Sequence, residues 1–383
     1  MKSYSDNIHN LIYNVDASHL FSNEEVEVFI PETKSEAKEI VEKAIKENKK
    51  VICRWGWTNL VWNCLPLKDS VIIDTSKLNA IIERWDDYVV VEPWINLDAL
   101  NRELAIDNHF FPVVLWSHAW ALIWWMIATN WAWMRAIKYW KMEDWVEELE
   151  VLTVNKDKKV EIIRLIWDDC NDFLWSEWEL WIVLEAKLKI IKRPESKSIQ
   201  IKMFEDLSES LSFVKEVKSS KNQNLSALEI INPVTAELIE GKKLYYVLVE
   251  YEDSSTWTIR DEKQIKEAWS KRDACYAVCV NAWYTQIEDP MIPDDKFEEF
   301  FKWFEDKNLP VFWHIGIWVL HPHFKEWQEF LVNEMYELVQ RLWWEVSWEH
   351  WIGRKKQSYV SEEYVNEVKK LKDKRDSNNV FWY

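Results

Sequence analysis

Glycine is almost missing from this chain, with 4 residues in 383, where ordinary usage near 7% gives roughly 27. Only glycine takes a left-handed backbone freely and lets a ligand approach the main chain closely. A chain this poor in it has to make its tight turns with other residues. Cysteine is also sparse. The five (Cys53, Cys64, Cys170, Cys275, Cys279) are an odd number without a Cys-x-x-Cys pair, which argues against a disulfide framework, an iron–sulfur site or a structural zinc site built on thiolates. They point to a reducing cytoplasm, and leave open peripheral attachment to a membrane. No apolar run reaches the roughly 18 residues of a membrane span, and Met1-Lys2-Ser3-Tyr4-Ser5-Asp6 does not read as a signal peptide. Basic excess is lacking too: the net charge is −18, so nucleic acid and anionic membrane surfaces are repelled. Lys355-Lys356 and Lys369-Lys370 are too short to reverse that, and read as solvated helix faces. An anionic substrate needs its own cations inside the site.

What the chain has in excess is tryptophan, 29 residues. They stand where turns call for glycine, as in Leu115-Trp116-Ser117, Ile123-Trp124-Trp125 and Asn130-Trp131-Ala132-Trp133. A genuinely Trp-rich core is the alternative, but core residues follow helix or strand periodicity. Most of these positions therefore read as glycines of a parent sequence, with Trp145 and Trp120 as candidates for original tryptophans. Taken literally, indoles in such loops overfill any ligand site and strain the turns.

The length allows two domains, each with its own core. The spacing of Ala37, Ile40, Val41, Ala44 and Ile45 predicts a helix over 35–49, started at Pro31-Glu32-Thr33. Strands are expected at Val51-Ile52-Cys53, 71–74 and 89–93, and a helix over 95–105. Further on, helices are expected at 207–217 and 262–268, and strands at 228–231 and 245–251, with a turn at Gly241-Lys242-Lys243. Alternation of strand and helix predicts α/β or α+β packing.

Between the first two strands lies Arg54-Trp55-Gly56-Trp57-Thr58-Asn59-Leu60-Val61-Trp62-Asn63. A strand, a small-residue turn and then polar residues is the plan of a loop whose backbone N–H groups converge on an anion. With Trp read as Gly it resembles the diphosphate loop of FAD-binding oxidoreductases of the vanillyl-alcohol oxidase/p-cresol methylhydroxylase (PCMH) type, Arg-Gly-Gly-Gly-Thr-Asn-Leu-Val-Gly-Asn. The likeness continues in Ser117 to Trp133, similar to that family's second flavin segment, where a serine loop and a Gly-Gly pair precede Ala-Thr-Asn-Gly-Ala-Gly. It continues again in Leu174 to Val183, similar to its Gly-Ser-Glu-Gly-x-Leu-Gly-Ile segment. The resemblance implies an α+β, two-domain FAD-binding PCMH-type fold: residues 1–194 as the FAD-binding domain and 195–383 as an antiparallel-sheet substrate (cap) domain with helices on one face. It implies FAD contacts from Arg54, Trp55, Gly56, Trp57, Thr58, Asn59, Leu60, Ser117, Trp124, Trp125, Ala128, Thr129, Asn130, Ser176, Glu177 and Ile182. No strand–Gly-x-Gly-x-x-Gly–helix unit appears even with Trp read as Gly, so a nicotinamide cofactor is not expected.

Three of the eight histidines fall within ten residues, in Trp313-His314-Ile315-Gly316-Ile317-Trp318-Val319-Leu320-His321-Pro322-His323, and a Glu-His pair follows in Ser347-Trp348-Glu349-His350-Trp351-Ile352-Gly353. Imidazoles with one carboxylate suit Zn²⁺ or another divalent metal, though such clusters also occur as core or surface residues. The stretches resemble the His-x-Gly-Asp-Gly-Asn-x-His and Ser-x-Glu-His-Gly-x-Gly motifs of the D-lactate dehydrogenase and glycolate oxidase branch. The resemblance implies His314, His321 and Glu349 as metal ligands, His350 as general base and Arg272 as the clamp on a substrate carboxylate. Two departures weaken the metal: Ile317 and Val319 stand where that branch has Asp and Asn. A second carboxylate anchor, a lysine just before Asp289-Pro290, is absent from Gln286-Ile287-Glu288. The expected activity is FAD-dependent oxidation of a small anionic D-2-hydroxy acid, with a quinone, an electron-transfer flavoprotein or an iron–sulfur subunit as electron acceptor. The rivals are a non-catalytic flavoprotein subunit, and an alcohol-oxidising or alkyl-glycerone-phosphate-type relative of the same fold.

Overall fold

A computed structural model describes residues 3–17, 20–54, 62–114, 118–130, 134–174, 180–253, 261–342, 346–347, 352–353 and 355–381. Its first half begins as a small parallel sheet. Glu27–Phe29, Ser70–Asp74 and Lys50–Arg54 lie side by side in that order, with Ser3–Tyr4 antiparallel at the outer edge. Val71, Ile72 and Ile73 form an unbroken apolar run because both faces of their strand are covered. One cover is the helix Lys34–Lys46, whose N-cap Thr33 accepts from the Glu36 N–H and whose Ala37, Ile40, Val41 and Ala44 are buried at helical spacing. A five-stranded antiparallel sheet follows, ordered Ile81–Arg84, Tyr88–Val91, Ile182–Lys189, Val146–Val154, Val160–Ile166. The two sheets share one core. The end of the chain returns to it: Val51 N–H donates to the Val380 carbonyl at 2.9 Å, and Phe381 is buried in the same cluster.

The second half is built on a six-stranded antiparallel sheet. Its order is Lys197–Phe204, Tyr245–Glu252, Leu225–Ile231, Val311–His314, Val319–Phe324, Gln286–Ile287. Side chains alternate between its faces. Leu228, Ile230, Tyr245, Val247, Val249, Val311 and Trp313 meet the helices Leu207–Ser219, Phe297–Asp306 and Glu329–Arg341. Ile231, Tyr246, Leu248 and Phe312 meet Pro233–Glu240 and Glu262–Asn281 on the other side. The expectation of helices on one face is thereby corrected: Tyr245 to Val249 is apolar in both registers, so both faces need cover. The helix from Glu262 also runs on to Asn281 rather than ending at 268, because Ala268, Arg272, Cys275 and Cys279 continue one buried face. Arginine and cysteine on that face hid the apolar period. Gly241 takes φ +73 as the left-handed cap of Pro233–Glu240, at the expected turn.

Among the described residues, five tryptophans hold left-handed backbone: Trp62 (φ 72), Trp140 (58), Trp167 (51), Trp283 (68) and Trp318 (70). A bulky side chain has no preference for that region and glycine does, so the main chain at these points has the shape that the glycine reading expects.

Candidate active site

The sheet's alternation brings the chemistry to one face. Counting by twos along Leu225–Ile231, Tyr245–Glu252, Val311–His314 and Val319–Phe324 places Glu229, Glu250, Glu252, His314, His321 and His323 opposite the large core. All six are buried. The helix Glu262–Asn281 lays Arg272, 1% exposed, over them. Arg272 Nε–H donates to Glu229 Oε2 at 2.7 Å, and Glu229 Oε1 lies 2.7 Å from His314 Nδ1. Arg272 Nη2 stands 3.3 Å from His314 Nε2, which closes a three-membered hydrogen-bonded ring. The Phe312 ring lies under the guanidinium, 4.4 Å from Cζ. A guanidinium only donates, so Nε2 accepts, and Nδ1–H is left to donate to Glu229. The ring thus sets the His314 tautomer. Burial pushes the His314 pKa down; Glu229 opposes this and Arg272 adds to it, leaving a neutral imidazole near pH 7. His321 packs edge-on to His314, ring centroids 5.0 Å apart.

Arg272, His314 and His321, read from sequence as site residues, are therefore brought together, while Glu349 and His350 lie outside the described residues. Among the described residues no group of three His, Cys, Asp or Glu comes together as a metal set. The nitrogen of His314 that faces away from Glu229 is the one a metal would take, and it faces the buried guanidinium. A dication there would meet a fixed positive charge at contact distance in a low-dielectric interior, and Ile317 and Val319 offer no polar support. Of the ligand set that the resemblance implies, His314 and His321 are adjacent, and Glu349 lies outside the described residues.

The first half carries the segments that resemble flavin contacts. Arg54, 2% exposed, donates to the carbonyls of Tyr13 (3.1 Å), Val15 (2.6 Å) and Cys64 (3.4 Å), and so ties the chain on both sides of the loop it opens. The loop positions Trp55, Gly56, Trp57, Thr58, Asn59 and Leu60 lie outside the described residues, as do Ser117, Ser176 and Glu177. Ile123–Ala128 forms a short buried helix carrying Trp124 and Trp125. Thr129 and Asn130 close it: Thr129 Oγ donates to the Trp125 carbonyl at 2.6 Å, and Asn130 Oδ1 accepts from the Glu143 N–H at 2.8 Å. Ile182 is fully buried at the start of its strand. Trp62, where the described chain resumes after that loop, holds a left-handed φ of 72. The side chains of Trp124 and Trp181, 1% and 0% exposed, fill interior space where the family's segments have glycine.

The two halves meet at the site. Arg135 Nε donates to Glu250 Oε1 at 2.7 Å, Lys138 Nζ to Glu252 Oε2 at 2.9 Å, and Trp269 Nε1 to Glu250 Oε2 at 2.8 Å. Burial pushes the Glu250 carboxyl up, but Arg135 outweighs it and brings it down to about 2. Ile137 reaches the turn between the histidines, where a Cβ on Gly316 would come within 3.1 Å of its Cδ1, so a larger residue at 316 needs Ile137 to give by a few tenths of an ångström. A second contact zone is a cavity of about 270 Å³ bordered by Trp62 from the first half and by Gln286, Asn333, Lys355 and Lys356 from the second.

Lys355 and Lys356 overturn the reading as solvated residues. Lys356 is 1% exposed, with Nζ 2.5 Å from Asp289 Oδ1 and 2.9 Å from Ser347 Oγ, and Lys355 pairs with Glu288 at 2.6 Å. Lys369 and Lys370 are exposed, as expected. Sequence reasoning also missed Glu229, Glu250 and Arg135. The signal for Glu229 was a lone charge inside Leu225-Ser226-Ala227-Leu228-Glu229-Ile230-Ile231.

Residues 27–161 match the FAD binding domain model. The chain is 22% identical to the glycolate oxidase subunit GlcD of Bacillus subtilis, over 97% of this chain and 90% of that protein. It is 22% identical to the D-lactate dehydrogenase of Anaerostipes hadrus, over 91% and 87%. Over 59% of this chain and 45% of that protein, it is 24% identical to the mitochondrial D-2-hydroxyglutarate dehydrogenase of Rattus norvegicus. A solved structure of alkyldihydroxyacetonephosphate synthase superposes with a TM-score of 0.71 at 13% identity, covering 99% of this chain and 81% of that one. This likeness reproduces the α+β PCMH-type fold with its antiparallel-sheet domain. Residues 27–161 thus carry an FAD binding domain, in a chain whose distant relatives are 2-hydroxy-acid oxidoreductases and whose fold is that of the PCMH type.

Proposed function

We propose that this FAD-linked oxidoreductase oxidises a small D-2-hydroxy acid to the 2-oxo acid. The observation that carries the reading is Arg272, a buried guanidinium held in a fixed plane beside two imidazoles. An overall charge of −18 makes such an internal cation the natural anchor for an anionic substrate. The relatives point the same way, since glycolate, D-lactate and D-2-hydroxyglutarate all carry a hydroxyl on the carbon next to a carboxylate. Arg272 binds that carboxylate, and His350, assigned from the sequence resemblance, takes the hydroxyl proton as the C2–H bond breaks. Bound FAD supplies the acceptor for the hydride. A quinone, an electron-transfer flavoprotein or an iron–sulfur subunit then takes the electrons.

The test is anaerobic absorbance of the FAD-loaded protein. Glycolate or D-lactate should bleach the flavin band, while 1,2-propanediol, which lacks the carboxylate, should not. Bleaching that a chelator abolishes and Zn²⁺ restores would bring in His314, His321 and Glu349 as the ligands that the resemblance implies, and unchanged bleaching would remove them. FAD-loaded protein that no 2-hydroxy acid bleaches would refute the assignment.

A further inference from the structure

We propose that Glu229 is a positioning residue of this site: its carboxylate locks Arg272 and His314 into one preassembled unit that receives the carboxylate of an anionic ligand. The inference rests on the functional reading above for the identity of that ligand. Glu229 sits mid-strand at 0% exposure, between Leu228 and Ile230, which point into the opposite core. A buried carboxylate there is costly unless both oxygens are engaged, and they are engaged by two different site residues. The consequence is geometric. The face of the Arg272 guanidinium is covered by Phe312, its Nε edge by Glu229, and Nη2 by His314. Nη1 makes no hydrogen bond among the described residues, so one edge of the fork is left to bind a ligand. His314 is held with Nε2 as acceptor, which helps to fix the orientation of the guanidinium plane. Without Glu229, the guanidinium can turn about its long side chain and the imidazole can exchange tautomers. The ligand site would then have to be ordered at each binding event.

Oxalate, a two-carbon dianion resembling the 2-oxo acid product, is the probe. It is titrated into FAD-loaded wild type and Glu229→Gln, and binding is read from the perturbed flavin band. Melting temperature and flavin content serve as folding controls. Losing a charge-assisted hydrogen bond should weaken oxalate binding and raise KM for the bleaching acid by roughly ten- to hundred-fold, with a much smaller change in maximal rate. The ¹⁵N spectrum should show His314 as the Nδ1–H tautomer in wild type, and that signature should disappear in Glu229→Gln. Unchanged oxalate affinity in the folded variant, or a loss confined to the maximal rate, overturns the proposal. So does wild type that does not bind oxalate. If Glu229→Gln does not fold, the wild-type spectrum decides, because an Nε2–H tautomer at His314 is incompatible with the ring. Wild type that binds oxalate yet is bleached by no 2-hydroxy acid sinks the functional reading alone, and the oxalate titration still decides on Glu229.

Discussion

The tryptophans divide by what their indoles touch. Trp145, Trp269 and Trp303 donate Nε1–H to the Tyr139 carbonyl, Glu250 and Glu334 at 2.7, 2.8 and 2.9 Å, and Trp145 stacks edge-on with Phe111 and Tyr139. These behave as tryptophans with a place in the packing, which agrees with Trp145 as an original residue. Trp120, the other candidate, is 73% exposed and shows no such packing. Trp318 combines a left-handed φ of 70 with a buried Nε1 that has no hydrogen-bond partner among the described residues. Left-handed backbone costs a non-glycine residue roughly 1–2 kcal/mol, and an orphaned buried donor roughly 1–3 kcal/mol. The Lys218 ammonium over its ring, 5.0 Å away, returns only about 0.5–1 kcal/mol. Trp318→Gly should therefore raise the melting temperature, by an amount corresponding to about 1 kcal/mol or more. Trp145→Gly should lower stability by roughly 2–3 kcal/mol. Thermal melts of the two variants side by side check both signs.

At the scale of elements, buried ion pairs tie segments that are distant in sequence. Lys356 and Lys355 fasten the stretch after Ser347 to Glu288-Asp289, beside the short edge strand Gln286–Ile287. This is the stretch that carries Glu349 and His350 in the sequence. Lys356→Met removes the cation and leaves Asp289 buried without it, which should cost roughly 3–5 kcal/mol. Urea unfolding would read that as a lower midpoint, and Asp289→Asn combined with Lys356→Met should recover part of the loss. The site's legibility follows the same line. His314, His321 and Arg272 were readable because a motif or a position marked them. Glu229 and Arg135 were not, because each gains its role from a partner 43 to 115 residues away.

For the whole molecule, the buried carboxylates set an acid limit. In Glu288, burial pushes the pKa up, but Lys355 and Lys356 outweigh it and hold it at about 2, and Glu250 stands at the same value through Arg135. Both folded values lie below the ordinary carboxylate range near 4.3. The stability they contribute is therefore full above that range, and is lost as pH falls through the folded values near 2. Equilibrium unfolding between pH 5 and 2 should show falling stability, and Arg135→Met should move the decline to higher pH. A profile flat across that window would contradict the pairing.

The sequence by itself determined the strand–helix alternation, the flavin-domain resemblance and the histidine pair, because those depend on local spacing and on motif letters that survive the loss of glycine. It also marked the missing glycines, which the left-handed tryptophans then matched in backbone shape. Only the tertiary structure decided that the second sheet is covered on both faces, that Lys356 is buried and Lys355 is paired with buried Glu288, and that Arg272, Glu229 and His314 close into a ring. The physical reason is that a charged residue is solvated or buried according to what the rest of the chain brings against it. Spacing along one element cannot name a partner from another.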